Sequence, residues 1–479
     1  MKKEKSDREQ LFRPVEPWIL RAKNSALEEL MRPCGRFQSP LSVEELLRMR
    51  VARFADTFDL LRDNTTTFAP SLPLNWQFLL KYLCDAGVIS DPYVQFAGFR
   101  NDEPKTFSCQ LNATLGKDIT DGHRNEQGGG ASTSSLEETI SKATGELLER
   151  HFLGVYRREA LPAFSYAALA KRRSALNPSH LNGYLQWQKE LSPRFAYDEY
   201  KPLRWVKGLE IATGKSALLP AQLAFWNYDY TADQKEPVLG NSTTNGCAGH
   251  FTKEEAILSS LLEIIQRDGF LIYWLNSISP NVIDVANTGD DEVGELLARC
   301  ERYRLQIYFL NTTSDIGVPS ATCAVIDTAG EEPLISIGGG TGFTLKETLL
   351  ASAREALSVY SFTSRMSPIR LPKGYKPFSD SSLGRTERLL LWRGKEMLKH
   401  FEFFISGPRQ TPDEFVADAA ARTSVPGKLA YVLHTLGAKG YQTYLYEVRH
   451  KVLDALGYHV VRAIVPQLLP LYLYEHAAT

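Results

Sequence analysis

The sequence predicts an α/β (α+β) fold, on three observations. From about residue 88 onward, strand-like and helix-like segments alternate, with Leu305–Leu310, Ser320–Ile326 and Leu334–Ile337 reading as strands. Trp205-Val206-Lys207-Gly208 and Ala217-Leu218-Leu219-Pro220 flank Thr213-Gly214-Lys215, a hairpin signal. And one pattern, Ser/Thr, two residues, Glu, seven residues, Glu, occurs three times: Ser135–Glu138–Glu146, Thr252–Glu255–Glu263 and Thr344–Glu347–Glu355. A glycine-rich segment precedes each copy: Gly128-Gly129-Gly130, Gly240 through Gly249, and Gly338-Gly339-Gly340. Helices that follow glycine loops, alternating with strands, give one large sheet-containing core.

The N-terminal part has a different texture. Ser42-Val43-Glu44-Glu45 opens an amphipathic run to about Leu61, and Asn75 to Cys84 is apolar and helix-like. Thr65 to Pro73, with its two prolines, reads as a loop between them. Residues 1–84 are therefore expected to form a small helical appendage on a main domain of residues 85–479.

Each repeated unit has a local physical meaning. Ser/Thr followed three residues later by Glu is a capping box: the hydroxyl accepts from a first-turn N–H and the Glu reaches back to the cap N–H. The second Glu, eight residues on, falls near the same face at about 3.6 residues per turn. Glu146, Glu149 and Arg150 share a face by the same spacing. One such copy is simply a capped helix. Three matched copies, each behind glycines that let backbone approach a ligand, point three N–H clusters and several carboxylates at one place. That arrangement suits phosphates and a divalent cation held without a P-loop.

Composition narrows the alternatives. The chain has 479 residues, 43% hydrophobic and 23% charged, with a net charge of -1, an ordinary globular balance. No basic run interleaves with aromatics, so nucleic acid is not an expected partner. No apolar stretch is long enough to span a membrane, and the start MKKEKSDREQ lacks a signal-peptide core. The six cysteines are scattered without a C-x-x-C pair, so free thiols in a reducing cytoplasm are expected. The nine histidines show no zinc spacing. Cys247 lies in the second glycine-rich segment but has no evident His–Asp pair, so small size in a tight loop explains it better than nucleophilic chemistry. Gly214-Lys215-Ser216 looks like the end of a P-loop, yet Leu209 occupies the position where the motif requires glycine.

Longer stretches resemble a known family. G-N-S-T-T-N-G-C-A-G-H-F-T-K-E-E-A-I-L-S-S-L-L-E-I-I-Q-R-D-G-F-L-I-Y-W-L at 240–275 resembles the second signature of the YcaO superfamily. A-T-G-E-L-L-E-R at 143–150 is similar to its first, and N-T-T-S-D-I-G-V-P at 311–319 to the loop before its third helix. R-A-I-V-P-Q-L-L-P-L-Y-L-Y-E at 462–475 resembles the C-terminal segment of the peptide-modifying branch. The resemblance covers roughly residues 85–475.

It implies a YcaO-like core that binds ATP and Mg²⁺ and activates a peptide carbonyl. In azoline-forming members a Cys, Ser or Thr side chain of a ribosomal precursor peptide attacks the preceding amide, whose oxygen leaves as phosphate. By resemblance, Glu146, Glu149, Glu263 and Gln266 would be metal ligands, and Glu146, Arg150, Glu255, Arg267 and Glu355 would hold the nucleotide. Ser242 and Asn245 sit on the glycine-rich loop, where they can donate to phosphate oxygens. A separate leader-binding or activating protein is implied as a partner, since the chain shows no ubiquitin-activating-like domain, and a homodimer is expected. The chain departs from the family at three places. Gln266 stands where Glu is usual, Ala351 where Arg is usual, and the end lacks the proline-rich tail of azoline-forming relatives. Two other functions stay open on these grounds: a non-catalytic YcaO-like scaffold, and an enzyme that delivers sulfide or an amine to make thioamides or amidines.

Overall fold

The computed structural model describes residues 107–113, 126–132 and, with short breaks, 136–472. The helical appendage expected for residues 1–84, the boundary at residue 85, Ser135 and the last seven residues lie outside the described residues.

Among the described residues, three β-sheets organise the chain. β1 (Phe107–Ala113) and β2 (Glu126–Ser132) form an antiparallel pair, which α1 (Leu136–Leu153) covers. The hairpin predicted around Gly214 is formed by β4 (Pro202–Glu210) and β5 (Lys215–Pro220), with Gly214 at φ 65° in the turn. It belongs to a six-stranded sheet with β3 (Ala163–Ser165), β6 (Cys247–His250), β12 (Tyr444–Glu447) and β13 (His459–Ile464), ordered β3-β4-β12-β13-β6 with β5 on β4. The third sheet has the order β10-β9-β8-β7-β11 and contains the three strands read from the sequence: β8 (Leu305–Asn311), β9 (Ser320–Asp327) and β10 (Leu334–Thr341). β7 (Asn281–Ile283) and β11 (Arg409–Gln410) complete it.

Between the two larger sheets runs α2 (Lys253–Leu275), a 23-residue helix about 35 Å long. It buries residues on nearly every side, because it packs on β6 and β13, on α6 (Val425–Ala438), and on β9 and β10. Leu258, Leu261, Ile264 and Ile265 join Val432, Leu436, Val461 and Ala463 in one core cluster. On the other side of the molecule, α3 (Asp291–Arg302) and α4 (Leu345–Thr363) cover one face of the five-stranded sheet through Val293, Leu349, Ala353 and Leu357. Phe401 and Phe404 of α5 (Lys395–Ile405) join a separate cluster with Leu310, Ala324, Ile326 and Ile335 of that sheet. Among the described residues no helix is long and apolar enough to cross a membrane.

The triple glycines are where the sequence expectation needs correcting. They lie within strands β2 and β10, not in loops. Glycine is a poor strand former, and the reason for it here is contact. α1 lies so close on β2 that a Cβ on Gly130 would sit 1.9 Å from Thr139 O, and one on Gly128 2.2 Å from Ala143 O. α4 lies equally close on β10: a Cβ on Gly338 would be 2.1 Å from Ala356 N. Gly338→Ala is expected to cost about 3 kcal/mol or more in denaturant unfolding, at the upper end for overpacking. Gly294→Ala, inside α3 with open space around it, should instead stabilise by about 0.5–1 kcal/mol through helix propensity. Equal effects of the two substitutions would contradict the close-approach explanation.

Candidate active site

The repeats build the same hydrogen bond three times. Gly129 N–H donates to Glu146 Oε2 at 2.5 Å, Gly246 N–H to Glu263 Oε2 at 3.1 Å, and Gly339 N–H to Glu355 Oε2 at 2.5 Å. The donor lies 17, 17 and 16 residues before its Glu. Gly129 and Gly339 lie in strands and Gly246 in the turn just before β6, and each N–H fixes a carboxylate nearly three turns into the following helix.

Cross-links then join the three units. Gly249 N–H in β6 donates to Glu149 Oε1 of α1 at 2.8 Å. Arg267 of α2 reaches Glu355 Oε1 of α4 at 3.4 Å and Glu263 Oε1 at 3.8 Å. Arg354 Nη1 of α4 closes the ring on Glu138 Oε1 of α1 at 3.1 Å. Arg150 pairs with Glu146 at 2.5 Å and also donates to Gln127 O at 2.5 Å. Glu146, Glu149, Glu263, Glu355, Arg150 and Arg267, dispersed over more than two hundred residues, come together.

Their electrostatics are unfavourable without a counter-cation. Burial pushes the Glu149 carboxyl well above the ordinary range, and the charges of Glu146 and Glu263 push it the same way. Glu263 is also raised by burial, against the opposing pull of Arg267. Four carboxylates outnumber the guanidiniums of Arg150, Arg267 and the nearby Arg462, which leaves net negative charge suited to a cation. Among the described residues no three acidic, His or Cys side chains converge into a ready-made metal cage. Mg²⁺ needs none, because it keeps several waters and takes one or two carboxylates plus phosphate oxygens. Hard oxygen donors with spare negative charge suit it. Polar atoms left over at the site point to a ligand as well: Arg150 Nε, Arg267 Nε, Ser242 Oγ and Asn245 Oδ1 are buried with no hydrogen-bond partner.

The remaining expected residues divide. Ser242 and Asn245 lie on the loop that ends at Gly246, beside the Glu263 carboxylate. The Gln266 side chain lies against Gly339, where a Cβ would meet its Nε2 at 1.5 Å. Glu255 stands apart, roughly 12 Å along the helix from Glu263. Its N–H donates to the capping Thr252 Oγ1, and its carboxylate accepts from that hydroxyl at 2.5 Å and pairs with His250 Nδ1 at 2.7 Å. Thr344 caps α4 in the same way by accepting from Glu347 N–H. The helix N-termini at Thr252 and Thr344 are thus capped by their own threonine hydroxyls, and the carboxylates further along the helices meet instead. Ala351 faces Gly340, whose Cβ would be 3.0 Å from the alanine's. Burial pushes the Cys247 thiol up to about 12, which removes it as a nucleophile at neutral pH. Local spacing placed Glu138 and Gly249 in the repeated units but could not name their partners Arg354 and Glu149, nor bring Arg462 to the site, because each contact joins segments distant along the chain.

The model of the family described as YcaO cyclodehydratase, ATP- and Mg²⁺-binding, matches residues 130–469. The chain belongs to the YcaO family. A heterocyclase structure with substrate and cofactor aligns at TM-score 0.63 and 15% identity, covering 82% of this chain and 52% of that one. YcaO from Methanopyrus kandleri bound with AMPPCP and Mg²⁺ aligns at TM-score 0.57 and 17% identity, covering 84% and 93%. The E. coli microcin synthetase McbBCD complex aligns at TM-score 0.53 and 16% identity, covering 78% and 88%. At such identities these structures share the YcaO fold with this chain. An uncharacterized protein in the tfuA 3′ region of Rhizobium leguminosarum bv. trifolii is 28% identical over 138 residues, 28% of this chain and 32% of that protein. One from Methanothermobacter thermautotrophicus is 26% identical over 140 residues, 29% and 36%. The aligned stretch spans about a third of each of these relatives.

The crowding at this YcaO site has a measurable consequence. Glu149 is raised in the folded protein, so its favourable contribution is fully present below the ordinary carboxyl value of 4.5 and is lost as pH rises through the raised one. Glu149→Gln keeps an oxygen for the Gly249 N–H and removes one charge. It is expected to raise the melting temperature of the ligand-free protein at pH 8 by about 2 °C, with no gain at pH 4. Calorimetric melts across that range test it. A lower melting temperature at pH 8 would mean that the charged carboxylate is not crowded.

Proposed function

We propose that this YcaO protein uses Mg·ATP to modify the backbone of a ribosomal precursor peptide, by cyclodehydration of Cys, Ser or Thr to azolines. The observation that carries this is the ring of three strand–helix units. It gathers Glu146, Glu149, Glu263 and Glu355 around Arg150 and Arg267 with net negative charge and unpartnered donors.

Glu146, Glu149 and Glu263, with Gln266 through its amide oxygen, would hold the metal. Arg150, Arg267 and Ser242 would face the phosphates, with Asn245 turning only its Nδ2 donor toward them and Glu355 orienting Arg267. Glu255 was also expected at the nucleotide, but its cap and its His250 partner assign it to fixing the start of α2. When bound, Mg·ATP would supply the γ-phosphoryl group that turns the amide oxygen, a very poor leaving group, into phosphate once the side-chain sulfur or oxygen has bonded to the carbonyl carbon. The protein's own part is positioning and charge. The glycine N–H groups each hold one carboxylate oxygen, so the other is presented without a search over rotamers. Arg267 bridges two repeats, and neutralising charge on transferred phosphate is the main requirement of phosphoryl transfer. Ring closure also releases the side chain's S–H or O–H proton and the amide N–H proton, and no residue of this set is assigned as the base that takes them.

Partners follow from the same reading. The precursor peptide is the substrate, a separate leader-binding or activating protein presents it, and a homodimer in the cytoplasm is the working assembly.

ATP turnover with candidate precursor peptides, followed by mass analysis, tests the function: the product is expected about 18 Da lighter, one water, as phosphate expulsion requires. Glu263→Gln should weaken Mg·ATP binding by about 10-fold or more, since it removes a buried charge from the cation's surroundings, without changing the circular-dichroism spectrum. Unchanged affinity in titration calorimetry would remove Glu263 from the metal shell. The neutral Gln266 and the small Ala351 support the scaffold alternative. Gln266→Glu separates the two: raised turnover supports an active site, while no turnover in either form with every peptide supports a scaffold. A peptide gaining sulfur, or an amine that brings nitrogen, in place of losing water would shift the assignment to thioamide or amidine formation.

A further inference from the structure

A pocket of about 80 Å³ opens beside the carboxylate ring. Its walls are apolar: Leu181, Leu223 and Leu239 on one part, and Val465, Leu468 and Leu471 of the C-terminal segment on another. Its polar lining comes from Thr243, Asn245 and Arg462. The pocket shares two pieces of chain with the ring. Asn245 precedes Gly246, whose N–H holds Glu263, and Ile264, also in the lining, follows Glu263 directly.

Arg462 is unusual among the charged residues. It is only 5% exposed, on β13 opposite Cys247 of β6. The guanidinium, with five N–H donors, reaches Phe225 O at 3.4 Å. Its charge is felt at Glu263, where it favours the ionised form. Asn245 Oδ1 is buried and has no partner. So a donor-rich cation and a spare acceptor stand together at the polar side of an apolar pocket. One carbonyl and one N–H, carried with an aliphatic group, satisfy that set. A triphosphate does not, because a single arginine among leucines leaves most of its charge unmatched.

We propose that this pocket is the acceptor-peptide subsite, taking the aliphatic side chain of the residue next to the one modified. Arg462 donates to that residue's carbonyl oxygen, and Asn245 Oδ1 accepts from its N–H. The assignment rests on the peptide-modifying function above and adds to it the kind of sequence selected. The C-terminal segment, held by the bond from Leu469 N–H to the buried Asp268 at 2.8 Å, then forms a specificity wall and is tied to the helix that carries Glu263.

The test uses the full chain with two capped peptides, acetyl-Ala-Leu-Cys-Ala-amide and acetyl-Ala-Gly-Cys-Ala-amide, in saturation-transfer NMR and titration calorimetry. Mg·ATP affinity is measured in parallel. Leu181→Trp and Leu471→Trp fill the pocket from half-buried positions, so one can stand in if the other fails to fold. The leucine peptide is expected to bind wild type at least 10-fold more tightly than the glycine peptide, with transfer strongest to the leucine methyls. Either Trp variant should erase that preference and leave Mg·ATP affinity within twofold. Equal binding of the two peptides, no binding of either, or an unchanged preference in the filled variants overturns the subsite. A joint loss of Mg·ATP affinity overturns it too, by giving the pocket to the nucleotide. Leucine-dependent binding with no loss of water from any peptide would leave the subsite standing and remove the azoline reaction.

Discussion

Three backbone N–H groups, at Gly129, Gly246 and Gly339, each hold one oxygen of a glutamate about seventeen residues later. Everything at the site depends on this repeated bond. A carboxylate out of water is costly unless its lone pairs are satisfied. A charge-assisted bond from a main-chain donor provides that at little entropy cost, because the strand is already fixed. Each carboxylate then has one oxygen anchored and one directed at its neighbours. Arg150 and Arg267 take part of the remaining charge, and the rest accumulates on Glu149, whose raised carboxyl registers the excess.

The bond in turn dictates the glycines. For a strand N–H to reach a carboxylate on the next helix, strand and helix must lie almost in backbone contact. In β2 and β10 alternate glycines lie under the helix backbone, at Gly128 and Gly130 and at Gly338 and Gly340, and any Cβ there would overlap it. The glycine between each pair carries the donating N–H. Strand alternation thus separates two tasks within three residues: the outer glycines permit the approach, and the central one makes the bond. Conformational freedom is not what these glycines provide.

α2 makes the three units into one site. It is buried against both larger sheets, so its carboxylates and Arg267 cannot shift without disturbing the core formed by Leu261, Ile264 and Ile265. Its links outward are polar and specific: Glu263 to Gly246, Arg267 to Glu355, Asp268 to Leu469. The site is therefore built on rigid elements, as electrostatic preorganisation requires, and the C-terminal segment is tied to the same helix turn that faces the metal-type carboxylates.

Much of this was legible in the chain itself. The capping boxes at Thr252 and Thr344, the hairpin at Gly214, and strands β8, β9 and β10 follow from local patterns of spacing and turn chemistry. Glu146, Glu149, Glu263 and Glu355 were marked out by a repeat whose spacing survives in the geometry. Local pattern failed where partners are distant. It took the triple glycines for loops, because glycine discourages strands in isolation and the helix lying on them is a tertiary fact. The resemblance placed Glu255 with the nucleotide residues, and packing brings it to its own helix cap and to His250. Arg354 meeting Glu138, Gly249 meeting Glu149 and Arg462 lining a pocket were invisible, since a long side chain's partner is set by which elements come into register. The sequence by itself determined the helices, their charged faces and the family. Only the tertiary structure decided which oxygen each N–H holds, because a hydrogen bond exists at about 3 Å and the chain fixes such distances only when it packs.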